Sequence, residues 1–264
     1  EFALNAFREY GSVLIIVNTR KCAKQVYEEL KRSCGEECEL YHLSTSMCPK
    51  NRKEELNAIK QARTNKKPVI CVSTQLIEAG VNLSFGCVIR SLAGLDSIVQ
   101  AAGRCNRHKE LEMGKVYIVK MAQDAERLDR LYDIRRAQKA AEKFLYYFKM
   151  DPEQFGGSMD SEDSVTAYYG EYFHDTGAEP TKYPSRSCET TLDICQAFAT
   201  AGNEYQVIEE DTKVTVVVPY DEAAEEAIDT LEDRFSSLSD QKKAVRVLQQ
   251  YSVGISESLL KKLG

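Results

Sequence analysis

Ser12-Val13-Leu14-Ile15-Ile16-Val17 is a continuous apolar run that ends abruptly in Asn18-Thr19-Arg20. A strand with one wet face alternates apolar and polar residues, so an unbroken run points to a strand buried on both faces of a parallel sheet. The residues that follow place Ala23, Val26, Tyr27 and Leu30 at helical spacing, which reads as strand, turn and helix. The unit then recurs. Glu39 to Leu43 is a short strand before a charged helix opened by Pro49, and Pro68 to Ser73 is a strand closed by Ser73-Thr74 and a short helix. Cys87-Val88-Ile89 is a fourth strand, Leu95 to Arg104 a helix entered through Asp96-Ser97, and Lys115 to Val119 a fifth strand. Such alternation with short loops predicts an α/β domain, a parallel sheet with helices on both faces. Ligands of these sheets gather beyond the carboxyl ends of the strands, which directs attention to the polar turns there.

Beyond residue 121 the pattern changes. Ala122 to Met150 reads as one long helix, with Leu128, Leu131, Ile134, Ala137, Ala141, Phe144, Leu145 and Phe148 at three- and four-residue steps. A loop-rich stretch follows. Tyr205 to Val218 reads as a hairpin turning at Glu210-Asp211, and two or three short helices complete a small α+β unit. The expected organisation is therefore an α/β lobe over 1–121, a helical linker with loops over 122–190, and a C-terminal accessory domain over 191–264.

Composition supports a folded, water-soluble chain. Its 264 residues are 43% hydrophobic and 29% charged, and no window reaches the roughly 20 apolar residues of a membrane-spanning helix. No signal peptide opens the chain, and Glu1 in place of an initiator Met suggests processing or excision from a longer protein. Nine cysteines, an odd number without a disulfide framework, fit a reducing cytoplasm. Cys34 and Cys38 have no second Cys or His pair at zinc spacing, so they are expected as structural or reduced thiols rather than metal ligands. The net charge of −6 is uneven. Residues 1–121 carry 19 Lys+Arg against 13 Asp+Glu, a net of +6, which leaves −12 for the remainder. The lobe suits an anionic partner such as nucleic acid, and the acidic half is expected to pack on the lobe rather than bind that partner.

Gln100-Ala101-Ala102-Gly103-Arg104-Cys105-Asn106-Arg107 carries two arginines three residues apart around a helix end. Helical spacing places both guanidiniums on one face, where paired permanent charges suit a transferring phosphoryl group. Taken alone, the pair fits a solvated basic cluster equally well. Ser73-Thr74-Gln75-Leu76-Ile77-Glu78-Ala79-Gly80-Val81-Asn82 adds hydroxyls and backbone N–H groups at a strand end, which favour phosphate, while Glu78 and Asn82 offer acceptors to ribose hydroxyls. With Asn18-Thr19-Arg20, three anion-directed turns share one edge of the sheet.

These turns resemble motifs IV, V and VI of the second RecA-like lobe of superfamily 2 helicases. In order and spacing the segments from Ser73 to Asn82, Ala93 to Ser97 and Gln100 to Arg107 are similar to the CRISPR-associated helicase-nucleases of type I systems, which unwind and degrade DNA marked by a guide-RNA complex. The resemblance implies that Arg104 and Arg107 act on the γ-phosphate, with Gln100 coupling nucleotide state to lobe closure. It places Glu78, Gly80 and Asn82 beside the ribose, and Thr19, Arg20, Ser73 and Thr74 on phosphates of one single-stranded DNA. ATP and Mg2+ would be held mainly by a first lobe, and no Gly-x-x-x-x-Gly-Lys-Ser/Thr occurs in this chain. The implied partners are that lobe, a His-Asp nuclease domain and the guide-RNA surveillance complex, with no membrane. The implied enzyme is an ATP-dependent DNA helicase of which this chain alone hydrolyses nothing. A non-catalytic binding or docking module, and a lobe of an RNA helicase, are the competing readings.

One departure and three weaker signals remain. Asn82 stands where motif V usually has Asp. Val216 to Glu222 mimics a strand ending in a magnesium-binding Asp-Glu, but Asp221 is better read as the N-cap of the next helix. His174-Asp175 matches a metal-nuclease dipeptide, yet three histidines in the whole chain make no ligand cluster, and no metal residue is assigned. Tyr146, Tyr147, Phe148, Tyr168, Tyr169, Tyr172 and Phe173 have the chemistry to stack bases, but their helical spacing favours packing.

Overall fold

Strand β1 (Ser12–Ile16) lies at the centre of a five-stranded sheet in the order β2-β3-β1-β4-β5, which is why its residues are apolar toward both faces. The computed structural model describes residues 1–35, 37–78, 81–129, 131–174 and 213–263. β2 (Glu39–Leu43), β3 (Val69–Ser73), β4 (Cys87–Ser91) and β5 (Lys115–Val119) complete the sheet, and every pairing is parallel. Side chains alternate across it, so β1 feeds two cores. Val13, Ile15 and Val17 meet α1 (Phe2–Tyr10) and α2 (Arg20–Cys34) through Leu4, Phe7, Ala23 and Leu30. Leu14 and Ile16 meet the opposite layer, which includes Ile59 and Ala62 of α3 (Pro49–Thr64), Ile77, Phe85, and Ala101 of α4 (Leu95–Ala102). The α/β class and the parallel sheet of the sequence reading are as expected.

The long helix expected from Ala122 begins only at Tyr132, as α5 (Tyr132–Met150). The preceding segment turns tightly, with the N–H groups of Ala125 and Glu126 both donating to the Ala122 carbonyl, and it carries Glu126 inward to a buried position. Helical spacing of Leu128 and Leu131 suggested continuity, but the polar partners waiting for Glu126 under the sheet edge decide the backbone here. Downstream, Ala140, Ala141 and Phe144 of α5 pack with Tyr168 of α6 (Glu162–His174) on Leu92, Leu95 and Ile98. Gly94 is required at this junction, because a Cβ there would lie 2.7 Å from the Tyr168 hydroxyl. The aromatic group divides accordingly. Tyr168 is core and Tyr172 stacks under Arg136 at 4.0 Å, whereas Tyr146 and Tyr147 are exposed.

In the C-terminal unit, β6 (Lys213–Val217) pairs antiparallel with β7 (Ser252–Ser256). The first arm of the expected hairpin, Tyr205 to Ile208, lies outside the described residues, as does Asp175 of the His-Asp dipeptide. β7 was not expected, since Ser-Val-Gly-Ile-Ser is short and interrupted by glycine. α7 (Glu222–Glu232) and α8 (Leu238–Leu248) bury Ala224, Ala227, Ala244 and Leu248 around Tyr251, and α9 (Glu257–Leu263) follows β7. Asp221 does cap α7. It accepts from the Ala224 N–H at 3.0 Å and from the Tyr251 hydroxyl at 3.0 Å. Asp221→Ala is expected to cost about 1 kcal/mol, and Asp221→Asn a few tenths, in urea-unfolding free energy. Equal midpoints for Asp221→Ala and the parent chain would remove the cap from the account. The acidic unit touches the lobe through Tyr220, whose hydroxyl donates to Glu54 at 2.8 Å and accepts from Asn51 at 2.9 Å.

Of the two expectations for Cys34 and Cys38, a structural role or reduced thiols, the structure has the first: they are joined in a disulfide, with a Cα separation of 6.6 Å that lies within bridging reach. The bond links the end of α2 to the approach of β2. Cys22, Cys48, Cys71, Cys87 and Cys105 are free.

Candidate nucleotide and nucleic-acid site

The turns after β1 and β3 lie beyond the carboxyl edge, but the arginine turn expected beside them does not: it follows α4 and runs beside Phe85, at the amino end of β4. Nor do the side chains all face outward. After β1, Thr19 is the N-cap of α2 and accepts from the Cys22 N–H at 3.2 Å, while Arg20 is exposed and donates to the Ser46 hydroxyl at 3.4 Å. After β3, Ser73 is fully buried and its hydroxyl donates to the Thr74 carbonyl at 2.9 Å. Thr74 is buried beside it. A ligand at this turn would therefore meet backbone before the Ser73 side chain.

Glu78 departs most from the reading as a ribose acceptor. Its carboxylate turns inward and pairs with Arg90 Nε at 2.8 Å, with Arg90 wholly inaccessible in the middle of the sheet. Burial pushes the Glu78 carboxyl above its ordinary value and the Arg90 guanidinium below its own, and the ion pair opposes both shifts. Gly80 lies outside the described residues, and Asn82 is exposed with its Oδ1 3.4 Å from His108 Nε2.

The arginine pair also differs from a helical face. α4 stops at Ala102, and Arg104 and Arg107 follow it in a turn. The reason is local. Cys105 bridges to Phe85, where the Phe85 N–H donates to the Arg104 carbonyl at 3.0 Å and the Asn106 N–H to the Phe85 carbonyl at 2.7 Å. Asn106 takes the left-handed region at φ 45° and clasps both the N–H and the carbonyl of Leu111 with its side chain. Arg104 is buried and donates from Nη2 to the Glu78 carbonyl at 2.6 Å, whereas Arg107 and Gln100 are exposed. Burial lowers the Arg104 guanidinium from its ordinary value, the charge of Arg107 adds to that, and Glu78 opposes it. A single buried hydrogen bond thus joins the segment after β3 to the turn after α4.

Three residues of this region escaped the sequence reading: Asn18 as a network member, Arg90 and Glu126. Asn18 donates its backbone N–H to Glu126 Oε1 at 2.6 Å and its side-chain amide to Glu126 Oε2 and the Leu92 carbonyl, both at 2.9 Å. The Ser91 hydroxyl donates to the same carboxylate at 2.6 Å, and Arg90 Nη1 donates to Asn18 Oδ1 at 2.8 Å. An arginine inside the apolar strand Cys87–Ser91 was the available signal, because a buried guanidinium demands an acceptor. Among the described residues no group of three or more His, Cys, Asp or Glu stands close enough to hold a metal, and no helix is long and apolar enough to cross a membrane.

The five-stranded all-parallel sheet with helices on both faces is the RecA-like α/β fold expected from the sequence. Residues 9–110 match the family model described as the C-terminal part of the CRISPR-associated nuclease/helicase Cas3. The Haloferax volcanii CRISPR-associated nuclease/helicase Cas3 is 36% identical over 110 residues, 40% of this chain and 12% of that protein. The structure of T. fusca Cas3 with AMPPNP superposes with a TM-score of 0.63 at 15% identity, covering 96% of this chain and 33% of that one. A chain from a CRISPR RNA-guided surveillance complex in its pre-nicking state gives 0.55 at 16% identity, again over 96% of this chain and 34% of that one. The chain thus spans a minor part of the length of its relatives, and the likeness to these structures is one of fold.

Proposed function

We propose that this chain is the second motor lobe and accessory region of an ATP-dependent single-stranded-DNA translocase acting with a CRISPR guide-RNA surveillance complex. The observation that carries the proposal is the hydrogen bond from Arg104 to the Glu78 carbonyl, which ties the segment after β3 to a turn that exposes Arg107. A guanidinium keeps its charge across the physiological range, so Arg107 offers a fixed positive end to a polyphosphate held by another lobe. ATP with Mg2+ would supply the γ-phosphate for transfer to water. Arg107 is placed to reach its oxygens first, and Arg104 to join when its hold on the Glu78 carbonyl is released. Gln100, on the last turn of α4, would sense that approach, and Asn82 would border the ribose. Thr19, Arg20, Ser73 and Thr74 mark the turns for phosphates of one DNA strand, where Arg20 offers charge and the others chiefly backbone N–H groups. The similarity to a chain from a surveillance complex supports a guide-RNA complex as the docking partner.

Two measurements test this reading. The lone chain is expected to show no ATP turnover with or without DNA, because it carries arginines but no phosphate-loop lysine. Robust hydrolysis by the purified chain would sink the half-site reading. Its binding to single-stranded DNA is expected to be weak and salt-dependent, with log affinity falling by about 0.7 per neutralised phosphate for each decade of salt. Arg20→Ala should flatten that slope by roughly one phosphate. Tight binding indifferent to salt would point to base stacking by the exposed tyrosines instead.

A further inference from the structure

Glu126 lies beyond residues 9–110, yet it is bound into the region where the candidate motifs meet. Its carboxylate accepts three hydrogen bonds, two of them from Asn18. Asn18 is held in a single orientation. Its Oδ1 accepts from Arg90 while its Nδ2 donates to Glu126 and the Leu92 carbonyl, so a flip would set N–H against guanidinium and oxygen against carboxylate. Arg90 in turn reaches the Ser91 carbonyl at 2.8 Å and pairs with Glu78, whose backbone carbonyl holds Arg104. The path runs from the Glu126 carboxylate through the neutral Asn18 amide to the Arg90 guanidinium and the Glu78 carboxylate, and then from the Glu78 backbone carbonyl to the Arg104 guanidinium. All five residues are buried, and among Glu126, Asn18, Arg90 and Glu78 displacing one side chain takes a partner from a buried neighbour.

We infer that Glu126, Asn18, Arg90 and Glu78 form a positioning relay coupling the turn at Thr19, at the DNA end, to Arg104 at the nucleotide end. The inference rests on the proposed motor function. Asn18 directly precedes Thr19, so a strand phosphate that moves the cap of α2 acts on an N–H clamped by Glu126. At the far end the Glu78 carbonyl sets whether Arg104 is held back or released. Glu126 and Arg90 touch neither ligand, and their part is positional.

Contiguity alone does not establish coupling, so the test is a mutant cycle in the intact two-lobe protein. ATP turnover is measured against single-stranded DNA concentration for Glu126→Gln, Arg90→Lys, their combination and Arg104→Ala. Gln keeps the size of Glu126 but turns an N–H toward Asn18 Nδ2, and Lys keeps the charge facing Glu78 but lacks the fork that also reaches Asn18. Glu126→Gln and Arg90→Lys are each expected to lower DNA-stimulated turnover about tenfold. The half-saturating DNA concentration should rise, with DNA-free turnover and the KM for ATP unchanged. The combination should fall no further than the weaker single variant. Normal stimulation in Glu126→Gln overturns the relay, as do single effects that multiply, or equal loss of stimulated and DNA-free turnover. Ser91→Ala removes only one donor to Glu126 and keeps the test available if the bolder variants do not fold; about threefold lower stimulation is expected, and none overturns the relay. Normal turnover in Arg104→Ala would remove the motor reading itself, whereas its loss beside a normal Glu126→Gln removes the relay alone.

Discussion

Replacing Arg107 with alanine in the two-lobe protein is expected to lower DNA-stimulated ATP turnover by about 10³- to 10⁵-fold. Arg107 is exposed in the turn after α4, close enough to influence the Arg104 charge, and the backbone around it is fixed by the Phe85–Cys105 bridge and by Asn106. A preorganised charge that meets its target only on lobe closure contributes to the transition state more than to ground-state affinity. The KM for ATP should therefore change little while turnover collapses. Arg107→Lys should recover only part of the activity, because a point charge does not reproduce the planar fork. Steady-state turnover with saturating DNA checks this. Wild-type turnover in Arg107→Ala would transfer the role to Arg104 or dissolve it, and parallel loss of nucleotide affinity would make the contact a ground-state one.

The largest stability effect is expected at Arg90. Arg90→Met leaves the Glu78 carboxylate buried without its ion-pair partner, a change that typically costs about 3–5 kcal/mol. The sign of the pH dependence follows from burial. Since the folded state already holds the Glu78 carboxyl above its ordinary value, and loss of Arg90 raises it further, protonation favours the folded variant. The penalty should be full at neutral pH and should shrink as pH falls toward the ordinary carboxylate range. Adding Glu78→Gln to Arg90→Met should recover much of the loss, because the buried charge is then gone. Urea unfolding of the three proteins at neutral and mildly acidic pH reads all of this. A loss below about 1 kcal/mol at neutral pH, or one indifferent to pH, would mean that water or rearrangement satisfies Glu78 in the variant.

Several elements were legible from residue order because their causes are local. Ser12 to Val17 announces a two-faced strand through its own side chains, and Asp221 announces a cap through the missing N–H partners of the turn that follows it. The helix expected through Ala122 to Met150 failed at its first ten residues because Leu128 and Leu131 continued the period, while the deciding contact of Glu126 was with Asn18, 108 positions away. The same separation hid the inward turn of Glu78. Beside Asn82 it read as a second acceptor for a ligand, and only the neighbouring strand shows that Arg90 already occupies it.

Residue order by itself determined the alternation of strands and helices, which follows from periodicity along the backbone, and it carried the resemblance of the polar turns to helicase motifs. It did not place the arginine turn, which the bridge to Phe85 holds at the amino end of β4. Tertiary structure alone decided which of the candidate side chains face outward. Arg20, Asn82, Gln100 and Arg107 do, whereas Ser73, Glu78 and Arg104 turn inward. The physical reason is that a polar side chain between water and a buried partner goes to the partner only if one stands within hydrogen-bond reach. Such partners are brought there by the packing of β1, β3 and β4 and by the turn that carries Glu126 under the sheet edge.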